Sequence, residues 1–186
     1  MHDDADLMRL TAEGDESAFR RLVEKYEKEL YNFFLRAVGG DRDDAADLTQ
    51  QLFINLYNSA GRYKPTSSFK TFIYRIARNI AISHYRRSSS VESVSIEELE
   101  DEGVQVEEFS AETNPLENLQ SRELDSAFVK ALGSLPEEWR VILELRVGRS
   151  LSYKEIAEIT GRSLSSVETI IFRARSKLAE ELKDFR

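Results

Sequence analysis

Between Glu16 and Val38 the apolar residues Phe19, Leu22, Val23, Tyr26, Leu30, Phe33, Phe34 and Ala37 recur at three- and four-residue steps. That spacing lays them along one side of an α-helix, whereas a half-buried strand needs strict alternation. The run "GGDRDD" stops this helix. Asp41, Asp43 and Asp44 suit the cap and the amino-terminal dipole of a second helix, which Ala45, Leu48, Leu52 and Leu56 carry to about Asn58. Gly61 and Pro65 break that one. The pattern predicts a third helix from about Ser68 to Arg87 with Phe72, Ile73, Ile76, Ala77 and Ile80 turned inward. No stretch alternates with a period of two, so the expected fold is all-α.

Charge divides the chain further. Arg62 to Arg87 holds seven Lys or Arg and no acidic residue, while the next 28 residues, Ser88 to Pro115, hold nine acidic residues and no basic one. The flanking parts are balanced, with 14 basic and 13 acidic residues in 1–87 and 12 of each in 116–186, so the acidic block accounts for the net charge of −8. Weak periodicity and uncompensated repulsion mark residues 88–115 as a flexible acidic linker. The expectation is two small helical domains, 1–87 and 116–186, on either side of it. The linker reaches at most roughly 95 Å when extended and averages about 30 Å as a coil. Its carboxylates either are drawn to the adjacent basic face in the free protein and screen it, or form a solvated spacer whose charge only preserves solubility.

In the second half a helix is expected near Leu116 to Leu132, then another in "SLPEEWRVILELRV", with Ser134 as cap and Pro136 near its first position. The final part, "LSYKEIAEITGRSLSSVETIIFRARSKLAEEL", has the proportions of a helix-turn-helix. Ala157 sits where two helices cross closely, Gly161 where the turn bends, and Val167 faces inward. Ser163 caps the second helix. Ser165, Ser166, Glu168 and Thr169 point outward near its start, and Phe172, Arg173 and Arg175 follow. In a major-groove reader the early positions meet base edges and the arginines hold phosphates. The same spacing serves a helical hairpin that only packs.

On the third helix a face distinct from the inward stripe collects Thr71, Tyr74, Arg75, Arg78, Tyr85 and Arg86. Guanidinium groups attract phosphates and aromatic faces stack on unpaired bases, which suits wholly or locally single-stranded DNA. A solvated basic face with half-buried aromatics fits the same residues.

Taken together and in order, "DDAADLTQQLFINLY", "SSFKTFIYRIARNIAISHYRR", "LPEEWRVILEL" and "LSYKEIAEITGRSLSSVETIIFRARSKL" resemble the extracytoplasmic-function (ECF) subgroup of bacterial sigma factors, over nearly the whole chain. The resemblance implies a first domain that binds core RNA polymerase and the −10 promoter element, and a second that binds the −35 element. Asp47, Leu48, Gln50, Gln51 and Phe53 match the helix that docks on polymerase. Tyr63 to Phe69, including Lys64, Ser67 and Ser68, matches the loop that captures a flipped base. Lys70, Tyr74, Arg75, Arg78, Asn79 and Arg86 match the −10-binding helix. Ser163, Ser165, Ser166, Glu168, Thr169, Phe172, Arg173 and Arg175 fall on the −35-reading helix. An inhibitory anti-sigma partner is also implied. The chain departs from the family's usual pattern at Phe72 (usually Trp), Ser83 (Asp), Gln51 (Glu), Glu168 (Lys) and Ile170 (Arg), and the last two alter the charge offered to the groove.

Composition restricts the other classes. With no Cys and only His2 and His84, there is no thiolate metal site or disulfide framework, and no cofactor is expected. No run approaches the roughly 18 apolar residues of a membrane span, and the acidic "MHDDADLMRL" is unlike a signal peptide, so a cytoplasmic, non-inserted protein is expected. No spacing assembles a nucleophile, a base and an oxyanion site, so an enzyme is not expected. A dimeric helix-turn-helix repressor or activator would account for the last motif but not for Arg62 to Arg87.

Overall fold

The computed structural model describes residues 3–88 and 130–183. All regular secondary structure among the described residues is helical. The elements are α1 (Asp4–Ala12), α2 (Glu16–Ala37), α3 (Arg42–Ser59), a 3₁₀ turn (Ala60–Arg62), α4 (Phe69–Ser88), a helical turn at 130–133, α5 (Glu137–Val147), α6 (Tyr153–Thr160) and α7 (Leu164–Glu181). The expected linker, its screening contact and most of the helix expected at Leu116 to Leu132 lie outside the described residues.

The helix boundaries follow from side-chain chemistry. Asp15 accepts from the Ser17 and Ala18 amides at the start of α2, and Asp41 accepts from those of Asp43 and Asp44, both at 2.9 Å, at the start of α3. Between them Gly39 (φ 72°) and Gly40 (φ 95°) take the left-handed backbone that ends α2. Ser68 Oγ accepts from the Thr71 amide at 3.0 Å and opens α4. Leu22, Leu30, Phe33 and Phe34 of α2 pack with Leu52 and Leu56 of α3 and with Ile73 and Ala77 of α4, all buried. Short α1, unmarked by the sequence reading, closes one side with Leu7 and Met8.

In the second unit Ser134 does not cap α5. Pro136 takes the cap position without a side-chain bond, and the Ser134 hydroxyl donates back to the Ala131 carbonyl at 2.8 Å. It lies too early in the chain and closes the preceding turn. Helix α6 opens on a reciprocal Ser152–Glu155 capping box and ends at Gly161 (φ 72°), whose amide donates to the Ala157 carbonyl at 2.8 Å. Ser163 Oγ accepts from the Ser166 amide at 3.1 Å and starts α7. Replacing Ser163 with Ala is expected to lower stability by about 1 kcal/mol, read as a lower urea midpoint at constant slope.

The two units pack on each other. Helix α4 lies against α5 and α6, and α2 against α5. Buried Arg140 of α5 donates to the Ala37 carbonyl at the end of α2 at 3.1 Å. Its guanidinium stacks 4.9 Å from the Tyr85 ring centroid, and the Tyr85 hydroxyl donates to the same carbonyl. A cation thus covers the negative end of α2.

Candidate nucleic-acid interface

Helix α4 places the expected DNA-contacting side chains unequally. Arg75, Asn79 and Arg86 are exposed, and Lys70 and Arg78 are half-buried. Thr71 and Tyr74 do not share that outward face. Tyr74 is 0% exposed, its ring is 5.5 Å from that of Phe33, and its hydroxyl donates to Glu29 at 2.7 Å. Burial, with Glu29 as acceptor, pushes its phenol well above the usual range. Helix α4 is covered from more than one side, so its buried arc is wider than one stripe.

In the loop before α4, Lys64, Pro65 and Thr66 are exposed, Ser67 is half-buried, Ser68 serves as the cap, and Phe69 is buried. Tyr63 lies between, its ring 4.8 Å from Phe72 and 6.1 Å from Phe69. Its buried hydroxyl has no hydrogen-bond partner among the described residues.

Helix α3 turns Asp47, Gln50 and Gln51 to solvent and Leu48 and Phe53 into the core. Two apolar residues not singled out from the sequence, Ile54 and Tyr57, are each 48% exposed. At helical spacing, positions 47, 50, 51 and 54 share one face. An exposed apolar centre rimmed by polar groups suits a protein partner. The signal was there in the sequence, because Ile54 falls outside the Leu48, Leu52, Leu56 stripe.

On α7, Val167, Ile170, Ile171, Ala174 and Leu178 are buried. Ser163, Phe172, Arg173 and Arg175 are exposed, and Ser165, Ser166, Glu168 and Thr169 are half-exposed. The early polar positions and the later arginines are therefore all presented outward from a capped helix.

Several of the cations on α4 are engaged by the second unit. Arg78 Nη2 meets Glu138 Oε1 at 2.8 Å. The same carboxylate takes Arg162 through two bonds, Nε to Oε1 at 3.0 Å and Nη2 to Oε2 at 2.5 Å. Burial disfavours the charged form of Glu138, yet the bonds and charges of Arg162 and Arg78 outweigh it and hold the carboxyl below its ordinary value. Arg75 donates to the Glu158 carbonyl at 3.2 Å, and Lys70 to the Arg149 carbonyl at 3.1 Å. A second bridge joins Arg36 of α2 to Glu144 of α5 at 2.9 Å, with Arg149 on the same oxygen at 3.1 Å. There burial outweighs the two guanidinium groups and raises the Glu144 carboxyl. The sequence singles out Lys70, Arg75 and Arg78 but not Arg36, Glu138, Glu144, Arg149, Glu158 or Arg162, although a Glu set between Leu143 and Leu145 in an apolar run signals a paired buried charge.

Among the described residues no group of three or more His, Asp or Glu is placed to hold a metal ion, and no helix is long and apolar enough to cross a membrane.

The sequence matches two family models, Sigma-70 region 2 over residues 22–91 and Sigma-70 region 4 over residues 126–178. It is 33% identical over 183 residues to the ECF RNA polymerase sigma-E factor of Escherichia coli (strain K12), covering 95% of this chain and 93% of that protein. It is 31% identical over 183 residues to the ECF RNA polymerase sigma-E factor of Haemophilus influenzae, covering 97% and 95%. Among solved structures it is similar to CnrH in complex with the cytosolic domain of CnrY, with a TM-score of 0.69, 25% identity and 97% of each chain covered. The fold is also that of the sigma factor RpoE in complex with the anti-sigma factor NepR from Bartonella quintana, with a TM-score of 0.65, 23% identity, and 90% and 98% coverage. Two helical units carrying regions 2 and 4 in order, in a chain aligned almost end to end with sigma-E factors, make this protein a member of the ECF subgroup of the sigma-70 family.

Proposed function

We propose that the unit at residues 1–87 docks on core RNA polymerase through α3 and handles the −10 element through α4 and the loop before it. The unit at 116–186 reads the −35 element through α7, and the acidic residues 88–115 connect the two. As an ECF sigma factor the chain directs core polymerase to specific promoters for transcription initiation. It binds and positions, and carries no catalytic step of its own. Its work is cytoplasmic, and its natural regulator is an anti-sigma factor, the kind of partner in the NepR complex of a fold neighbour.

One observation carries the assignment of sites. In the part that matches region 2, one helix exposes a polar and apolar face (Asp47, Gln50, Ile54) while another, from a stretch of sequence with no Asp or Glu, carries the cations Arg75, Arg78 and Arg86. Separate surfaces for protein and for DNA on one unit are what a promoter-specificity subunit needs. Opening the −10 duplex costs a few kcal/mol per unstacked step, recovered by stacking and phosphate pairing on the freed strand.

The test is transcription with bacterial core polymerase and a random promoter library, sequencing the starts. Starts sharing two upstream elements and requiring the chain support the reading. A band shift on palindromic duplex without polymerase, with no core-dependent starts, would instead make the chain an autonomous helix-turn-helix regulator. The docking face has its own check. Asp47→Ala combined with Gln50→Ala is expected to weaken core binding about tenfold while helicity and Tm stay unchanged, because both side chains are exposed. Unaltered affinity would remove that surface.

A further inference from the structure

We propose that Glu168 determines the sequence specificity of α7. Its carboxylate selects a base pair that presents the N4 amino group of cytosine to the major groove, with a thymine methyl nearby against Phe172. The inference rests on the reading of α7 as the helix that meets the −35 element.

Glu168 is half-exposed and is the one charged residue between Ser163 and Phe172. Its carboxylate takes no hydrogen bond or ion pair among the described residues. The ordinary uses of a carboxylate on a helix do not account for it. It lies beyond the first turn of α7, which holds no acidic residue, so the helix dipole gives it little. Its neighbours one turn away, Leu164, Ser165, Ile171 and Phe172, include no cation to pair with. Leu164 and Phe172, at i−4 and i+4, are instead 49% and 43% exposed, large apolar side chains left open to solvent. An acceptor is thus set between two apolar flanks on one outward stripe about 12 Å long, about three base-pair steps. Base edges differ sharply against such a stripe. Guanine N7 and O6 and thymine O4 are acceptors and repel a carboxylate, adenine sets its N7 acceptor beside its N6 donor, and cytosine offers a donor with no acceptor beside it on the same base. Phe172 suits the thymine methyl. Once the apolar flanks close on the groove and strip water from the carboxylate, a base pair without the amino donor leaves a desolvated, unpaired charge. Glu168 therefore lowers affinity for DNA in general, because it also faces phosphates, and returns selectivity for one base.

The experiment uses the full-length chain with bacterial core polymerase on promoters randomised across the −35 element, and sequences the starts. It compares the parent with Glu168→Gln, Glu168→Ala, Phe172→Ala and Glu180→Gln, the last making the same charge change at an exposed position near the end of α7. Base preference is a ratio within each variant's own starts, so a change in total activity does not enter it. The parent is expected to prefer cytosine at one −35 position by about tenfold. Glu168→Gln, whose amide pairs with adenine N6 and N7, should move that preference to adenine and leave the other positions as they were. Glu168→Ala should flatten it. Phe172→Ala should weaken a thymine preference within about three base pairs of it. Glu180→Gln should keep the parent's ranking. Output that rises equally in both glutamine variants, with the parent's ranking kept, is a charge effect alone and overturns the assignment. An adenine preference in the parent that Glu168→Ala removes overturns the choice of cytosine. Parent starts that share no −35 element overturn the reading of α7 itself, a result distinct from an unmoved ranking.

Discussion

Tyr74→Ala is expected to destabilise the protein by about 3–5 kcal/mol, enough to unfold much of it at physiological temperature. The ring is fully buried, packs edge-on to Phe33, and directs its hydroxyl to Glu29, so truncation leaves a cavity and an unpaired acceptor together. Tyr74→Phe removes only the hydroxyl and should cost about 1 kcal/mol. Urea unfolding followed by circular dichroism separates the two. The phenylalanine variant also decides whether Tyr74 touches DNA. As a core residue it should support strand opening at the parent level. A well-folded Tyr74→Phe that no longer opens the −10 region would return the hydroxyl to the DNA.

Arg75→Ala with Arg78→Ala should reduce promoter opening by on the order of 10²-fold or more, since each guanidinium on DNA contributes about 1–3 kcal/mol. Permanganate reactivity of thymines near −10, with core polymerase present, reads this directly. Core affinity should stay within about twofold of the parent, because neither arginine lies on the α3 face. A double variant that opens promoters normally would take the −10 role away from this face.

The sequence was legible where local chemistry decides structure. Apolar steps from Phe19 to Ala37, the Gly39–Gly40 stop, Asp41 as cap, Gly161 in the turn and Ser163 as cap all act within a few residues, and their elements begin and end within a residue or two of expectation. Tyr74 was harder to place. Period alone puts it beside the arginines, but helices covering α4 from a second side bury it. Ser134 has a capping side chain, yet Pro136 fixes the start of α5 two residues later. Ile54 and Tyr57 required knowing which face of α3 is left uncovered. The interunit bridges were not legible at all. Arg78 and Glu138 are 60 residues apart, and a pairing of that range depends on how whole helices dock. Helix α1 is nine residues long with only three buried, too short for a period to stand out.

The most direct test places a photo-reactive residue at position 79 on α4 or at position 172 on α7 and maps DNA cross-links in the presence and absence of core polymerase. Both positions are exposed. The account predicts that, with core bound at a promoter, position 79 reaches the single strand within the −10 element while position 172 reaches duplex about 25 base pairs upstream, at the −35 element. Without core both yields should be low. Cross-links from both positions to one short duplex segment, formed equally well without polymerase, would contradict it.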